Sequence, residues 1–501
     1  RVLDLPLTLV LLGLTAMSLW LPASHAVIHS DHRTARAFFY SSVLLLVLAG
    51  MIAIAVSNHR PRNPVRASLA ALVVTYLLLP FAMALPVYEA LGDTRFLNAW
   101  FEMVSSFTTT GASLYDVDRL PSSVHLWRAQ VGWMGGFFVL VAGIAILAPV
   151  NLGGVEVISG RVPGRSAEGL SQITHTATPA RRMAQQAAAV LPAYLGLTAV
   201  LWLVLVLAGE SSFVAFCHAM AAVSTSGISP VGGLPFADAG MTGEMAVFAV
   251  LLAALSRRAW PGAALYDRGS PLWRDPELRL GLAIVTVLPV LLFLRHWIGA
   301  PDESLGGLGS ALHALWGGAF TTLSFLTTTG FTSVDWRAAT GWSGLGTPGL
   351  VMAGLAIFGG GIATTAGGVK LLRVYALLRQ GERELERLVH PHSIGGSGVT
   401  LRRLRGEGAY VAWIFFILFA CAIAVATAML TLVGVEFEPA MILTVAALTS
   451  TGPLAEIAAS TPLSYASLGA EPKVILAAVM VLGRVELLAI LVLLSPDGWR
   501  R

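Results

Sequence analysis

Four short stretches of this chain carry the residue types from which a cation site is built. Each closes an apolar run with three hydroxyl residues and a glycine: Phe107-Thr108-Thr109-Thr110-Gly111, Val223-Ser224-Thr225-Ser226-Gly227, Leu326-Thr327-Thr328-Thr329-Gly330 and Leu448-Thr449-Ser450-Thr451-Gly452. The chemistry open to them is coordination by oxygen. Hydroxyls supply ligand oxygens, and a glycine can take a positive φ without a Cβ clash, so that neighbouring carbonyls turn toward a common axis. One such cluster is an ordinary turn. Four of them, on one face and at comparable positions, imply a shared purpose. Stacked rings of oxygen can replace the hydration shell of a monovalent cation. The expected ligands are therefore Thr109, Thr110, Gly111, Thr225, Ser226, Gly227, Thr328, Thr329, Gly330, Ser450, Thr451 and Gly452.

The elements that must position these loops are membrane helices. Of 501 residues, 56% are hydrophobic and only 12% charged, far from the roughly 25% charged of soluble proteins. Many runs reach the length of about 20 apolar residues that a span needs. Runs such as Leu44 to Val56 are apolar on every face, which sets aside a barrel of alternating strands. Two helices are expected at 5–23 and 37–57, within 1–60. From residue 66 a long apolar run, a shorter semi-polar run and another apolar run recur four times, at 66–150, 183–265, 275–380 and 407–495. The predicted fold is an all-α polytopic membrane protein with four pseudo-symmetric M1-P-M2 repeats around a central pore, preceded by two extra transmembrane helices. Non-helical backbone at membrane depth must be buried in protein or line a water-filled cavity, so the four loops should meet on one axis.

Charge placement sets the orientation, because Lys and Arg concentrate in cytoplasmic loops. With the N-terminus inside, these loops hold Arg60, Arg62 and Arg66; Arg161, Arg165, Arg181 and Arg182; Arg257, Arg258, Arg268, Arg274 and Arg279; Lys370, Arg373, Arg379, Arg383, Arg387, Arg402, Arg403 and Arg405; and finally Arg500 and Arg501. No Lys or Arg falls between Gly209 and Gly243, so the semi-polar runs belong outside. This placement accounts for the net charge of +4 without a nucleic-acid partner. The stretch Arg379 to Arg405, with Glu382, Glu384 and Glu386, reads as a docking face for a cytosolic partner, or as a site for anionic membrane lipids.

Two features interrupt the apolar helices. Gly359, Gly360, Gly361, Gly367 and Gly368 crowd one segment, and each glycine costs a helix about 1 kcal/mol relative to alanine, so the helix should break over 359–368. Arg484 stands within the last apolar helix, where a charge must face protein or water. Asp116, Asp118, Asp335 and Glu456 follow the loops and can concentrate cations at a mouth. His218, His313 and Glu102 are expected to serve packing or hydrogen bonding, and Cys217 and Cys421 to be small buried hydrophobes. No H-E-x-x-H, G-x-S-x-G or paired intramembrane aspartate points to an enzyme.

With its four hydroxyl-glycine loops and its glycine-broken helix, the chain resembles the TrkH/KtrB superfamily of potassium transporters, over residues 66–495. The resemblance implies K+ as the transported ion and Gly111, Gly227, Gly330 and Gly452 as filter glycines. It also implies an intramembrane gate loop at 359–368, with Arg484 as a barrier below the filter. A homodimer with one pore per protomer, a cytosolic TrkA-like nucleotide-binding regulatory subunit and a bacterial inner-membrane location follow by the same resemblance. Relatives that favour sodium carry serine at the first filter glycine, whereas Gly111 is retained. A sodium- or proton-coupled secondary cation transporter is the alternative.

Overall fold

The computed structural model describes residues 6–56, 64–155, 157, 179–262, 272–295, 308–390, 407–459 and 461–494. Arg60, Arg62, Arg161, Arg165, Arg268, Arg402, Arg403, Arg405, Arg500 and Arg501, and the ends of the stretches expected at 1–60, 183–265 and 407–495, lie outside them. Among the described residues every regular element is helical. Among these residues seven helices are long and apolar enough to span a membrane, or up to nine if two bent pairs each count as one span.

Helices α1 (Leu7–Ile28) and α2 (His32–Val56) form an outer pair. Only 17% of the apolar window of α2 is buried, and Leu44 and Ile54 are exposed. A helix apolar all round with one bare face is the pattern of a lipid-facing span. The succession of helix, loop-leading helix, loop and helix then occurs four times, the second helix shorter than the first in every set but the third, where both have 19 residues. It runs α3 (Pro64–Leu91), α4 (Phe96–Phe107) and α5 (Ser122–Ala142); then α6 (Pro179–Leu207), α7 (Ser212–Ser224) and α8 (Gly240–Leu251). Next come α9 (Pro276–Leu294), α10 (Leu308–Leu326), the pair α11 (Trp336–Ser343) and α12 (Pro348–Phe358), and α13 (Leu371–Val389). The last set is α14 (Glu407–Leu432), α15 (Phe437–Leu448), α16 (Ala470–Val485) and α17 (Leu487–Leu494).

The closing helices differ from the sequence reading in two places. In the third set α11 and α12 meet at 114°, so this span is bent before its glycine-rich end is reached. In the fourth the last helix is not continuous through Arg484. It stops at Val485 and turns by 91°, with Glu486 at the break in a left-handed conformation, φ 72°. Arg484 therefore ends a helix rather than standing in mid-helix.

Helix α5 begins the most buried span, Ser122–Val150, of whose apolar window 78% is buried. Small residues let it approach: a Cβ on Gly135 would fall 2.0 Å from the carbonyl oxygen of Phe107 at the end of α4. Gly483 in α16 meets Leu448 at the end of α15 in the same way, at 2.1 Å. Close backbone contact through small residues is the usual packing of membrane helices. Aromatic rings wedge the rest, with Tyr76 lying 5.1 Å from Phe107 and 5.4 Å from Phe138. Gly135→Ala and Gly483→Ala should each destabilise by about 1–3 kcal/mol, the usual cost of overpacking. Thermal unfolding in detergent should show this as a clear fall in Tm, against an unchanged or slightly raised Tm for Gly196→Ala, inside α6, whose Cβ would meet nothing within 4 Å and which gains helix propensity.

Candidate functional site

Helices α4, α7, α10 and α15 end at the four hydroxyl-glycine loops. At each end the chain closes the same cap. The second hydroxyl residue is left-handed in every loop: Thr109 φ 55°, Thr225 φ 52°, Thr328 φ 58° and Ser450 φ 58°. Its N–H donates to the carbonyl three residues back, as Thr109 does to Ser106 at 2.9 Å and Ser450 to Ala447 at 3.2 Å. The third residue donates five back: Thr110 to Ser105 at 2.8 Å, Ser226 to Ala221 at 2.9 Å, Thr329 to Ser324 at 2.8 Å and Thr451 to Ala446 at 2.8 Å. This paired bonding is the Schellman termination, here built on a hydroxyl residue where glycine is usual. The first and third hydroxyls also meet, Thr108 with Thr110 at 2.8 Å, Ser224 with Ser226 at 3.0 Å, Thr327 with Thr329 at 3.0 Å and Thr449 with Thr451 at 3.1 Å.

The loops close a ring in chain order. A Cβ on Gly111 would fall 2.1 Å from the carbonyl oxygen of Ser226, and one on Gly227 2.1 Å from that of Thr329. On Gly330 it would fall 3.0 Å from the Pro453 ring, and on Gly452 2.3 Å from the nitrogen of Ala112. First touches second, second third, third fourth and fourth first. Gly111, Gly227 and Gly330 have φ of 74°, 64° and 85°, whereas Gly452 is absent from the left-handed glycines. The expectation of a positive φ at all four glycines is thus corrected at Gly452. That position requires glycine because the neighbouring backbone leaves no room for a side chain.

Directly against the ring lies the break between α12 and α13. The loop folds back on itself where Gly359 and Gly368, with φ 71° and 76°, approach so closely that a Cβ on Gly368 would meet the Gly359 Cα at 2.7 Å. Gly361 N–H donates to the Ala254 carbonyl at 2.9 Å. A Cβ on Gly360 would sit 2.7 Å from that same oxygen, and one on Gly367 2.2 Å from the Thr449 carbonyl oxygen. Gly367 N–H donates to the Thr328 hydroxyl at 2.7 Å. Arg484 donates to the Thr109 hydroxyl and to the Thr365 carbonyl. Two of the four second-position hydroxyls thus hold parts of this plug. The oxygens Thr225 Oγ1 and Ser450 Oγ are buried without a hydrogen-bond partner. Beside the plug a cavity of about 30 Å³, lined in part by Gly367, Lys370, Arg484 and Glu486, has room for about one water.

Charged groups brace this region. Arg373 pairs with Glu486 at 2.9 Å, both buried, and its guanidinium lies 3.7 Å from the Phe415 ring centre. Glu486 also accepts from Gly153 N–H at 3.0 Å, and Glu277 accepts from Ile362 N–H at 2.8 Å. Sequence reasoning gave Glu277 and Glu486 no functional role and placed Arg373 in a cytoplasmic loop. Their signal was present as charge at the edges of apolar runs. Arg484 and Glu486, two apart, face different partners and make no pair with each other.

The remaining candidates have structural partners. Glu102 is fully buried, paired with Arg128 at 2.6 Å and accepting from Leu114 N–H at 3.0 Å. His218 bonds Ser229 at 2.8 Å, and His313 bonds Asp335 at 2.8 Å. Asp116, Asp118 and Glu456 are exposed, and Asp335 is half-buried. Cys217 is buried but Cys421 is exposed, so the reading of Cys421 as a buried hydrophobe is corrected: it lies on an outward face of α14. Arg379 pairs with Glu382 at 2.6 Å and Arg387 with Glu384 at 3.2 Å, all on the exposed side of α13.

The family model described as TrkH, cation transport protein, matches residues 35–232 and 278–499. The chain is 28% identical over 486 residues to the Trk system potassium uptake protein TrkH of Salmonella typhimurium, covering 96% of this chain and 95% of that one. It is 26% identical to the Trk system potassium uptake protein TrkG of Escherichia coli, covering 98% and 97%. Among solved structures, the potassium transporter TrkH from Vibrio parahaemolyticus superposes with a TM-score of 0.78 at 25% identity, over 100% of this chain and 99% of that one. Removing one member of a buried ion pair leaves an uncompensated charge and costs about 3–5 kcal/mol, whereas replacing both is often neutral. Arg373→Met and Glu486→Gln should therefore each lower Tm in detergent sharply, and the double variant should recover most of the loss.

Proposed function

The chain belongs to the TrkH family of cation transport proteins, and from that premise we propose that it is the potassium-translocating subunit of a bacterial uptake system. It is a multi-pass membrane transporter, not an enzyme. Potassium as the cargo rests on the relatives, which carry potassium uptake in their names.

The observation that carries the reading is the closed cyclic contact of Gly111, Gly227, Gly330 and Gly452 with the next loop in turn. In this reading Thr109, Thr110, Gly111, Thr225, Ser226, Gly227, Thr328, Thr329, Gly330, Ser450, Thr451 and Gly452 form the filter, and the four stretches 66–150, 183–265, 275–380 and 407–495 are its repeats. Carbonyl oxygens replace the ion's water, and the negative ends of four helix dipoles add to the attraction. The loop containing Gly359, Gly360, Gly361, Gly367 and Gly368 is the gate. With Arg484 it blocks the path below the filter, because a fixed positive charge in a low-dielectric passage repels a cation strongly.

Opening requires withdrawal of that loop, and α13 follows it directly. A cytosolic nucleotide-binding partner of the TrkA kind would act there. The exposed Leu378, Leu385 and Leu388 and the charged pairs of α13 give it a surface to grip. A homodimer in the bacterial inner membrane, with the N-terminus cytoplasmic and lipid around the outer helices, completes the reading.

Rubidium uptake by purified protein in liposomes, with sodium and potassium as competitors, tests it. Wild type should take up Rb+, with K+ competing far better than Na+, and Gly111→Ser, Gly227→Ser and Gly330→Ser should each erode that difference. Equal competition by both ions in the wild type would sink the selectivity reading. Arg484→Ala should raise Rb+ flux at least about tenfold, the effect of removing some 1.4 kcal/mol of barrier; unchanged flux in a folded variant would remove Arg484 from the gate.

A further inference from the structure

The fourth loop ends differently from the other three. Among the described residues no hydrogen bond reaches the carbonyl oxygens of Gly111, Gly227 or Gly330, which are free to face an ion. The Gly452 carbonyl accepts from Ala455 N–H at 3.1 Å and from the Tyr465 hydroxyl at 3.0 Å. A carbonyl oxygen has two lone pairs, so this one is fully employed. Its direction follows from its partner: Tyr465 is buried behind the loop, its ring 6.1 Å from that of Phe101 in α4. The Thr451 carbonyl accepts from Leu454 N–H at 3.1 Å, where the chain curls into the one-turn helix Leu454–Ile457. On the other side Gly452 N–H donates to the Thr110 carbonyl at 2.6 Å, which seals the seam between fourth and first loops.

We propose that the outermost ring of the filter is three-sided, built from the carbonyls of Gly111, Gly227 and Gly330, and that Tyr465 holds the Gly452 carbonyl away from the ion. Tyr465 is then a positioning residue that sets specificity. It acts through a peptide whose carbonyl only the Ala455 N–H would otherwise hold back from a fourth side. Selectivity in such filters depends on the number of coordinating carbonyls, so a missing side weakens the outer site for K+ and lowers its preference over Na+. The same geometry gives Gly452 a different duty from its three counterparts: it admits the backbone of Ala112 and supplies no outer ligand. This inference rests on the four loops being a potassium filter.

The test is Tyr465→Phe, which keeps the ring against Phe101 and deletes only the hydroxyl. With the Tyr465 bond gone and only the Ala455 N–H bond left, the Gly452 carbonyl turns toward the ion more readily, and the half-saturation for Rb+ or K+ should fall by about threefold, on the scale of one neutral hydrogen bond. The K+ over Na+ preference should rise, while maximal flux and thermal stability stay close to wild type. A merely structural tyrosine would change stability and maximal flux and leave the ion preference alone, and that result overturns the proposal. Gly111→Ser run in parallel separates the two readings. Loss of preference in Gly111→Ser with none of the expected change in Tyr465→Phe defeats the three-sided ring alone. No effect of Gly111→Ser defeats the filter reading, and the three-sided ring with it. If Tyr465→Phe does not reach the membrane, anomalous scattering from Rb+ in crystals of the wild-type protein decides: three near carbonyls at the outermost ion support the proposal, and four equidistant ones overturn it.

Discussion

Irregular backbone inside a membrane must have its polar groups satisfied by protein or by what passes through it, and the centre of this molecule is organised around that demand. In the first loop the N–H groups of Thr108, Thr109, Thr110 and Gly111 all donate back into the end of α4, to Val104, Ser106 and Ser105. The third loop repeats the pattern with Thr327, Thr328, Thr329 and Gly330 donating to Leu323, Phe325 and Ser324. The donors are consumed locally while the acceptors at the tip remain. Because these loops turn their N–H groups onto their own helix ends, the Gly111 and Gly330 carbonyls at the tips accept no hydrogen bond among the described residues. The left-handed residue at the second hydroxyl position makes this possible, because it reverses the chain within one residue.

One framework therefore serves four different ends. Gly135 beside Phe107 and Gly483 beside Leu448 occupy matching places, each lying on the residue that precedes a hydroxyl triplet. The residues that follow them are Gly136 and Arg484. At Gly136 a Cβ would already press on Ser224 at 2.7 Å, so only hydrogen fits there. In the fourth set the corresponding place is open enough for a guanidinium that reaches Thr109 and Thr365. The internal repetition leaves space beneath the ring, and the loss of exact symmetry lets a single arginine and a single folded loop fill it.

The all-helical membrane architecture was legible because membrane burial writes itself into composition: long, uniformly hydrophobic runs broken by four hydroxyl-glycine endings. The glycine-rich break at 359–368 was legible for the same reason, since five glycines in an apolar run oppose a helix. What sequence could not show is where each chain end turns. The left-handed conformation falls on threonine and serine as well as glycine, and only the cap geometry calls for it there. Gly452 looked like its three counterparts, yet its neighbours, not its φ, require it. The 91° turn after Val485 carries no glycine or proline at all, with Glu486 at the corner, so no local propensity announced it. Cys421 sits in an apolar run whose outward face is lipid rather than protein, a distinction that hydropathy does not make.

The buried acids solve the same problem as the loops, from the acceptor's side. Glu102 accepts from Leu114 N–H, Glu277 from Ile362 N–H and Glu486 from Gly153 N–H. Glu244 accepts from Val334 N–H and from the Ser333 hydroxyl, and Glu210 accepts from Ala239 N–H at 3.2 Å. Each is a carboxylate placed where an irregular segment has a donor that no helix can take. At Glu102 and Glu486, where an arginine matches the charge, the ionised acceptor bonds an amide more strongly than a neutral one. Burying the charge is costly unless it is matched; Arg128 offsets it at Glu102 and Arg373 at Glu486. Acidic residues in apolar stretches of a membrane chain invite a reading as ion ligands, and here the geometry assigns five of them to holding backbone in place.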